Sequence, residues 1–362
     1  MTANDRGAQL PSKRICIVLL SGIGDVVHGL PIVNALKRDD PERHITWVVE
    51  SPGAPLLRPH PAVDEVLTFD RKRGLPDVIA LWRKLRHKKF DLLLNLNIYF
   101  KAAVVSIVAR APNKVSFGRD RARDPVWLFA NHQLPVRYGP HTQDRFCEFL
   151  HFIGIGVEPM EWRILLSEQE KEAQREFFQA FDSDRPVVGI VPTSGRDRKD
   201  WSTDRFAEVA AALTHDFGCR VVLLGGPAEH EVARGREVEG LADAELTWAL
   251  GGDLRRLIYI TDGCDLIISP DTGPLHVARA METPVIGIYG HTDPMWYGPY
   301  RAYEDLIIDR YRFDAPGVLT DDARHLGRDG RMRLVTAADV LEKVELAMQR
   351  YVARGGDRKA GA

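Results

Sequence analysis

No apolar run in the 362 residues approaches the ~18 needed to cross a bilayer as a helix. The opening stretch, MTANDRGAQLPS, is polar and lacks the apolar core of a signal peptide. It and the closing GGDRKAGA read as disordered tails. Cysteine is scarce: Cys16, Cys147, Cys219 and Cys264 are scattered, with no CxxC and no Cys/His ligand spacing. They read as reduced, structural thiols in a cytoplasmic protein. There is no GxSxG, no Walker loop GxxxxGKS/T and no HExxH, so three familiar catalytic signatures are missing. No metal cluster is legible either. The one Asp-x-Asp, Asp182 to Asp184, precedes a strand and so falls on the wrong edge of a sheet for ligand binding.

What is present is the composition of a soluble globular chain, long enough that two domains are the default. Net charge is −2 but unevenly spread. Residues 1–165 hold 24 Lys+Arg against 17 Asp+Glu, and the remainder 25 against 34. The first half is therefore the natural partner for something acidic. No nucleic-acid motif accompanies the surplus, and no nucleic-acid partner is expected.

Strands and helices alternate along both halves. RICIVLL (14–20) is a continuous apolar strand, followed by SGIGDVVHGLP and a helix to about Lys37. HITWVVE (44–50), residues 64–69 and FDLLLNLN (90–97) are further strands. Residues 76–89 alternate apolar and basic at helical spacing, KAAVVSIVARA is a helix, and KVSFG a short strand. A second round starts near Arg185: strand 186–192, strand 219–227, short strand 245–250, a helix at 253–262, then LIISPDTGPLHVARAM and strand 283–290. Strands apolar on both faces, alternating with helices, predict α/β architecture with parallel sheets covered on both sides. The expected division is 13–165 and 185–335, with a helix at 336–354 that packs back on the first domain. In such sheets ligands bind at the carboxyl ends of the strands.

The strand ends carry the chemistry. At 266–281 a buried strand stops at Pro270 and Asp271, and Thr272, Gly273 and Pro274 open a helix with His276 in its first turn. The amides of Thr272 and Gly273, with the helix dipole, suit an anion. An ordinary βα turn would look the same in isolation. Thr193, Ser194 and Lys199 stand just past strand 186–192, and Glu229 follows GGP, placed to accept from ribose hydroxyls. Three such strand ends favour a nucleotide. At the first strand's exit, Ser21-Gly22-Ile23-Gly24-Asp25 imitates a dinucleotide fingerprint, but the third glycine would fall at Val27 and Asp25 puts a carboxylate where pyrophosphate would sit. Asp25 suits a proton acceptor, or the helix N-cap that an Asp at this place commonly is.

Taken together, SGIGDVVHGLP, TSGRDRKDW, GGPAE and SPDTGPLHVARAMETPVIGIYGHTDPMWYGP resemble glycosyltransferase family nine, the ADP-heptose:lipopolysaccharide heptosyltransferases, over about residues 14–346. The resemblance implies a GT-B fold, two Rossmann-like doubly wound domains facing across a cleft, and inverting sugar transfer without a metal or other cofactor. Asp25 takes the place of the catalytic base. Thr193, Ser194, Lys199, Glu229, Asp271, Thr272, Gly273 and His276 take the places of the ADP-sugar site. Arg71, Lys72, Arg73, Lys101, Arg123 and His141 are the implied contacts to an acidic, lipid-linked saccharide acceptor. Where the family often carries D-x-Q-G-x-x-K, this chain has Asn95-Leu96-Asn97-Ile98-Tyr99-Phe100-Lys101 and keeps only the lysine.

The mechanism so implied is a single in-line displacement. Asp25 deprotonates an acceptor hydroxyl, while Lys199 and the helix mouth at Thr272 and Gly273 stabilise departing ADP. Work at the inner face of the inner membrane, as a peripheral protein, follows from a lipid acceptor. Rival readings are transfer from another nucleotide sugar or to another acceptor, an NAD-dependent oxidoreductase, and a non-catalytic nucleotide-binding module.

Overall fold

Each of two sheets is built from six short strands that are apolar on both faces, as parallel strands must be when helices cover them. The computed structural model describes residues 10–70, 73–134, 139, 141–181, 184–312 and 330–352. The tails beyond, Arg71, Lys72 and Asp182 lie outside these. The chain divides between Leu165 and Leu166 into two compact units.

In the first unit the strands are β1 Arg14–Leu19, β2 His44–Glu50, β3 Glu65–Phe69, β4 Leu92–Asn95, β5 Asn113–Phe117 and β6 His132–Leu134. Their order is β3-β2-β1-β4-β5-β6, all parallel. Ile15 lies between Ile45 and Leu92 in register. The helices are α1 Ile23–Asp39, α2 Ala54–Leu57, α3 Leu75–Leu85, α4 Lys101–Val108 and α5 Thr142–Phe152. The chain lays down β1, β2 and β3 in one direction, then returns to place β4 on the other side of β1. The exits of β1 and β4 therefore flank the switch point, where such sheets open a crevice.

β4 is shorter than the apolar run 90–97 predicts. Asn97 leaves the strand and its side chain takes over the ladder, donating to the Val18 carbonyl at 2.9 Å and accepting from the Leu20 amide at 3.1 Å. Asn95 donates to Ser106 at 3.2 Å. The two asparagines that replace D-x-Q are thus used on the sheet itself. All four cysteines are buried. Burial pushes the Cys16 and Cys219 thiols up to about 12, so neither is a reactive thiolate.

The second unit repeats the plan with β7 Val187–Ile190, β8 Arg220–Leu224, β9 Leu246–Ala249, β10 Leu266–Pro270, β11 Val285–Tyr289 and β12 Ile307–Asp309, in the order β12-β11-β10-β7-β8-β9. Its helices are α6 Glu168–Phe178, α7 Thr203–His215, α8 Glu229–Leu241, α9 Leu254–Gly263, α10 Gly273–Ala280, α11 Pro294–Tyr297 and α12 Ala337–Arg350. Again the chain reverses, here between β7 and β10. α6 opens with a capping box of Ser167 and Glu170, and Glu170 also takes a forked pair from Arg255 of α9 at 2.5 and 2.7 Å.

The final helix is part of the second unit. Val340, Val344 and Ala347 of α12 are buried in one cluster with Phe206 of α7 and Ile288 of β11. Its apolar stripe is used in the second unit's own core. The segment leading into it is equally fixed: Trp201 donates from Nε1 to the Val335 carbonyl at 2.9 Å. At Gly290 a Cβ would stand 2.5 Å from the Met332 amide nitrogen and 2.7 Å from the Arg331 carbonyl carbon, so only glycine admits this close backbone approach.

Candidate active site

Four neighbouring strand exits of the second unit converge because the strand order is β11-β10-β7-β8. Lys199 follows β7 and Asp271 follows β10. They are 72 residues apart in sequence, yet Nζ and Oδ2 are 2.5 Å apart. Thr292, just past β11, donates to the same Oδ2 at 2.7 Å, and His276 Nε2 of α10 lies 3.5 Å from Oδ1. The Asp271 side chain is 6% exposed. Burial alone would push its carboxyl up, but the contacts from His276 and Lys199 hold it well below the usual carboxylate range. It is an anion throughout the neutral range. Lys199 is oriented further by the Tyr297 ring, whose centroid is 5.9 Å from Nζ.

Asp271 stands immediately before α10. Thr272 is the N-cap, with extended backbone and no capping bond from its hydroxyl, and Gly273 and Pro274 are the first helical residues. The helix mouth therefore presents backbone amides beside an ammonium, a combination suited to a phosphate group. It combines fixed dipoles with one ammonium held by Asp271.

A second node organises the loop after β7. Asp200 accepts from the Ser194 amide at 2.6 Å, the Ser194 hydroxyl at 2.7 Å and the Thr193 hydroxyl at 3.0 Å. Arg234 of α8 approaches the same carboxylate at 3.5 Å and donates to the Trp201 carbonyl at 2.6 Å. Thr193 is buried and its oxygen also accepts from the Gly195 amide at 3.0 Å. The two hydroxyls singled out from the sequence thus shape the turn that carries Lys199. Glu229 is the first residue of α8 and is exposed, at the exit of β8. Its neighbour Glu231 folds back to accept from the Gly226 amide at 2.5 Å and fixes the GGP turn.

In the first unit Asp25 is not the N-cap. That position is Gly22, and Asp25 is the third residue of α1, where the helix dipole favours a carboxylate. The Ser21 hydroxyl donates to its Oδ2, so the side chain is held at the exit of β1. One turn on, His28 is buried and clasped by Gln143 of α5: Nδ1 meets Oε1 at 3.2 Å, and Gln143 Nε2 donates to the His28 carbonyl at 2.7 Å. His141 caps α5, its Nδ1 accepting from the Gln143 amide at 3.0 Å, and its ring meets that of His28 edge-on at 5.4 Å. α1 is thereby pinned just behind Asp25.

The other basic residues named from the sequence are dispersed. Lys101 opens α4 and is paired with Glu50 at 2.7 Å. Arg123 is exposed, its guanidinium 5.7 Å from the Tyr99 ring. Arg73 is exposed and 3.9 Å from Asp70. Arg71 and Lys72 lie outside the described residues.

Asp200, Arg234, Thr292, His28 and Gln143 escaped the sequence reading. Thr292 carried a signal, since it lies in the G-x-T-D-P run. Asp200 carried one too, since it lies in the TSGRDRKDW run; Arg234 carried none, because its role depends on which loops the sheet order makes neighbours.

Two doubly wound parallel units, each with polar groups gathered at its switch point, are the architecture of the GT-B fold. Solved structures share the architecture. A family nine glycosyltransferase from Veillonella parvula superposes with a TM-score of 0.79 at 23% identity, covering 95% of this chain and 99% of that one. The Escherichia coli heptosyltransferase WaaC with ADP gives 0.71 at 25%, covering 92% and 99%. The model of "Glycosyltransferase family 9 (heptosyltransferase)" matches residues 78–312. The chain is 32% identical over 296 residues to the lipopolysaccharide core heptosyltransferase OpsX of Haemophilus influenzae, covering 82% of this chain and 84% of that one. It therefore belongs to glycosyltransferase family nine, and the NAD-dependent oxidoreductase is set aside.

Proposed function

We propose that this protein transfers heptose from ADP-heptose to an inner-core saccharide of lipopolysaccharide, inverting the anomeric centre without a metal. Family membership supports the reaction class, and the observation that carries the donor assignment is the Lys199–Asp271 pair at the mouth of α10. The named activities of relatives support heptose and lipopolysaccharide core as donor sugar and acceptor. The chain works in the cytoplasm as a peripheral protein at the inner membrane, where a lipid-linked acceptor is exposed.

Asp25 accepts the proton of the attacking hydroxyl. The oxygen forms its bond to the anomeric carbon as the bond to the ADP oxygen breaks, and the electron pair leaves with ADP. Lys199 and the amides at Thr272 and Gly273 meet the growing diphosphate charge. Thr193 and Ser194, fixed by Asp200, hold the Lys199 loop in place before the donor arrives, and pre-organisation of this kind lowers the cost of charge stabilisation at the reacting moment. Glu229 accepts from the ribose hydroxyls. Arg73, Arg123 and the neighbouring cations Arg71 and Lys72 hold acidic groups of the acceptor, with Lys101 and His141 shaping that side.

Asp25→Ala tests the base. ADP binding by calorimetry is expected to stay within about two-fold of wild type, while turnover falls by roughly 10²–10⁴. Turnover near the wild-type rate would remove Asp25 from the mechanism. Turnover of wild type with a different nucleotide sugar, and none with ADP-heptose, would overturn the donor.

A further inference from the structure

We propose that the outward face of α3 and α4 docks on an anionic lipid bilayer. The idea rests on the peripheral membrane reading above only for the choice of lipid; the surface itself stands on its own composition.

A helix on the surface of a soluble domain needs one apolar stripe, the one that faces the core. α3 has two. Val78, Leu81 and Leu85 pack inward with the β1–β3 core. Beside that stripe, about a quarter turn round the helix, Leu75, Ile79 and Trp82, spaced four and three residues apart, are 76%, 47% and 42% exposed. α4 packs beside α3 and repeats the arrangement. Ala102 and Val105 are buried, while Phe100 at its cap and Ile107 seven residues on are 47% and 56% exposed. Single exposed apolar residues need no explanation, but five on two helices packed side by side do.

The charge around the patch decides the partner. Residues 73–89 contain six Lys+Arg and one acid, Asp77. Arg83, Lys84 and Arg86 follow Trp82 directly and are exposed, and the Arg86 guanidinium sits 5.1 Å from the Trp82 ring centroid. Apolar side chains flanked by long cationic ones suit the interface of an anionic membrane, where the stems lie along the acyl boundary and the charged heads stay at phosphate level. A second copy of this chain docked about a two-fold axis would set this surplus against itself and is disfavoured by like charge.

Co-sedimentation with vesicles tests the assignment. Wild type is expected to bind vesicles of phosphatidylcholine mixed with phosphatidylglycerol and to bind phosphatidylcholine alone far more weakly. Each cation near an anionic surface is worth about five-fold in binding, so R83E/K84E/R86E should weaken association by well over 100-fold. I79S/W82S should also lose binding, and the mixed vesicles should bind less as salt rises. All five substitutions fall on exposed positions, and circular dichroism together with transfer to a delipidated, soluble acceptor should match wild type. Equal vesicle binding by wild type and both variants would overturn the proposal, as would absent binding by wild type. A fall in solution mass on I79S/W82S, read by light scattering, would overturn it in favour of a second copy. Failure of the transferase reading appears separately, as absent turnover on the soluble acceptor with vesicle binding intact.

Discussion

Replacing Asp271 with Asn removes one charge from the centre of the second unit's strand exits and changes little in shape. The carboxylate accepts from Lys199 at 2.5 Å and Thr292 at 2.7 Å, with His276 at 3.5 Å. Removing one partner of a buried ion pair costs about 3–5 kcal/mol when the other charge stays trapped. Here Lys199 is 20% exposed and can recover some water, while an Asn oxygen still accepts from Thr292. The expected loss is therefore roughly 2–3 kcal/mol, which for a unit of this size lowers Tm by about 4–12 °C. The folded carboxyl lies below its unfolded value, about 3.9. Its stabilisation is complete above that value and is lost as pH falls through the folded one. The gap between variant and wild type should be full at neutral pH and should narrow in acid. Scanning calorimetry of wild type, Asp271→Asn, Lys199→Met and the double variant checks this, because the second substitution should cost far less once the first is made. A Tm within about 1 °C of wild type, or costs that simply add, would refute an energetic pair at this position.

Two further substitutions probe the scaffold. Arg255 holds the Glu170 carboxyl down to about 2, so its contribution is present above the ordinary Glu value and is lost as pH falls toward 2. Glu170→Gln should lower stability by about 2 kcal/mol in urea unfolding at neutral pH, and by much less near about pH 3. Gly290→Ala drives a methyl into the backbone of Arg331 and Met332, which cannot turn aside as a side chain could, and should cost about 1–3 kcal/mol. An unchanged melting temperature would mean that this backbone contact is looser than 2.5 Å.

Local pattern carried much of this protein. Strands apolar on both faces announced two parallel sheets, and turn chemistry after β1, β7 and β10 marked Asp25, Lys199 and Asp271 before any fold was known. The short edge strands β6 and β12, three and three residues long, were not legible, because so few residues establish no period. The last helix was legible as a helix, but its capping box and apolar stripe do not say which unit they serve.

Pairings across long stretches of chain required the tertiary structure. Lys199 meets Asp271 because β10 inserts beside β7, an ordering that depends on the whole sheet and not on either loop. Asp200 frames the Lys199 turn from within the same loop, whereas Arg234 reaches it because β8 lies beside β7. Asn95 and Asn97 are used inside the sheet, although their types suited a ligand site equally well. The outer stripe of α3 is the reverse case. Its spacing was present in the sequence, but a stripe at helical period reads as core until the structure reveals that the core already has another. Sequence alone determined the elements and the chemistry at their ends, because propensity and periodicity act over a few residues. Strand order decided which ends meet, because it follows from burying all the faces of both sheets at once.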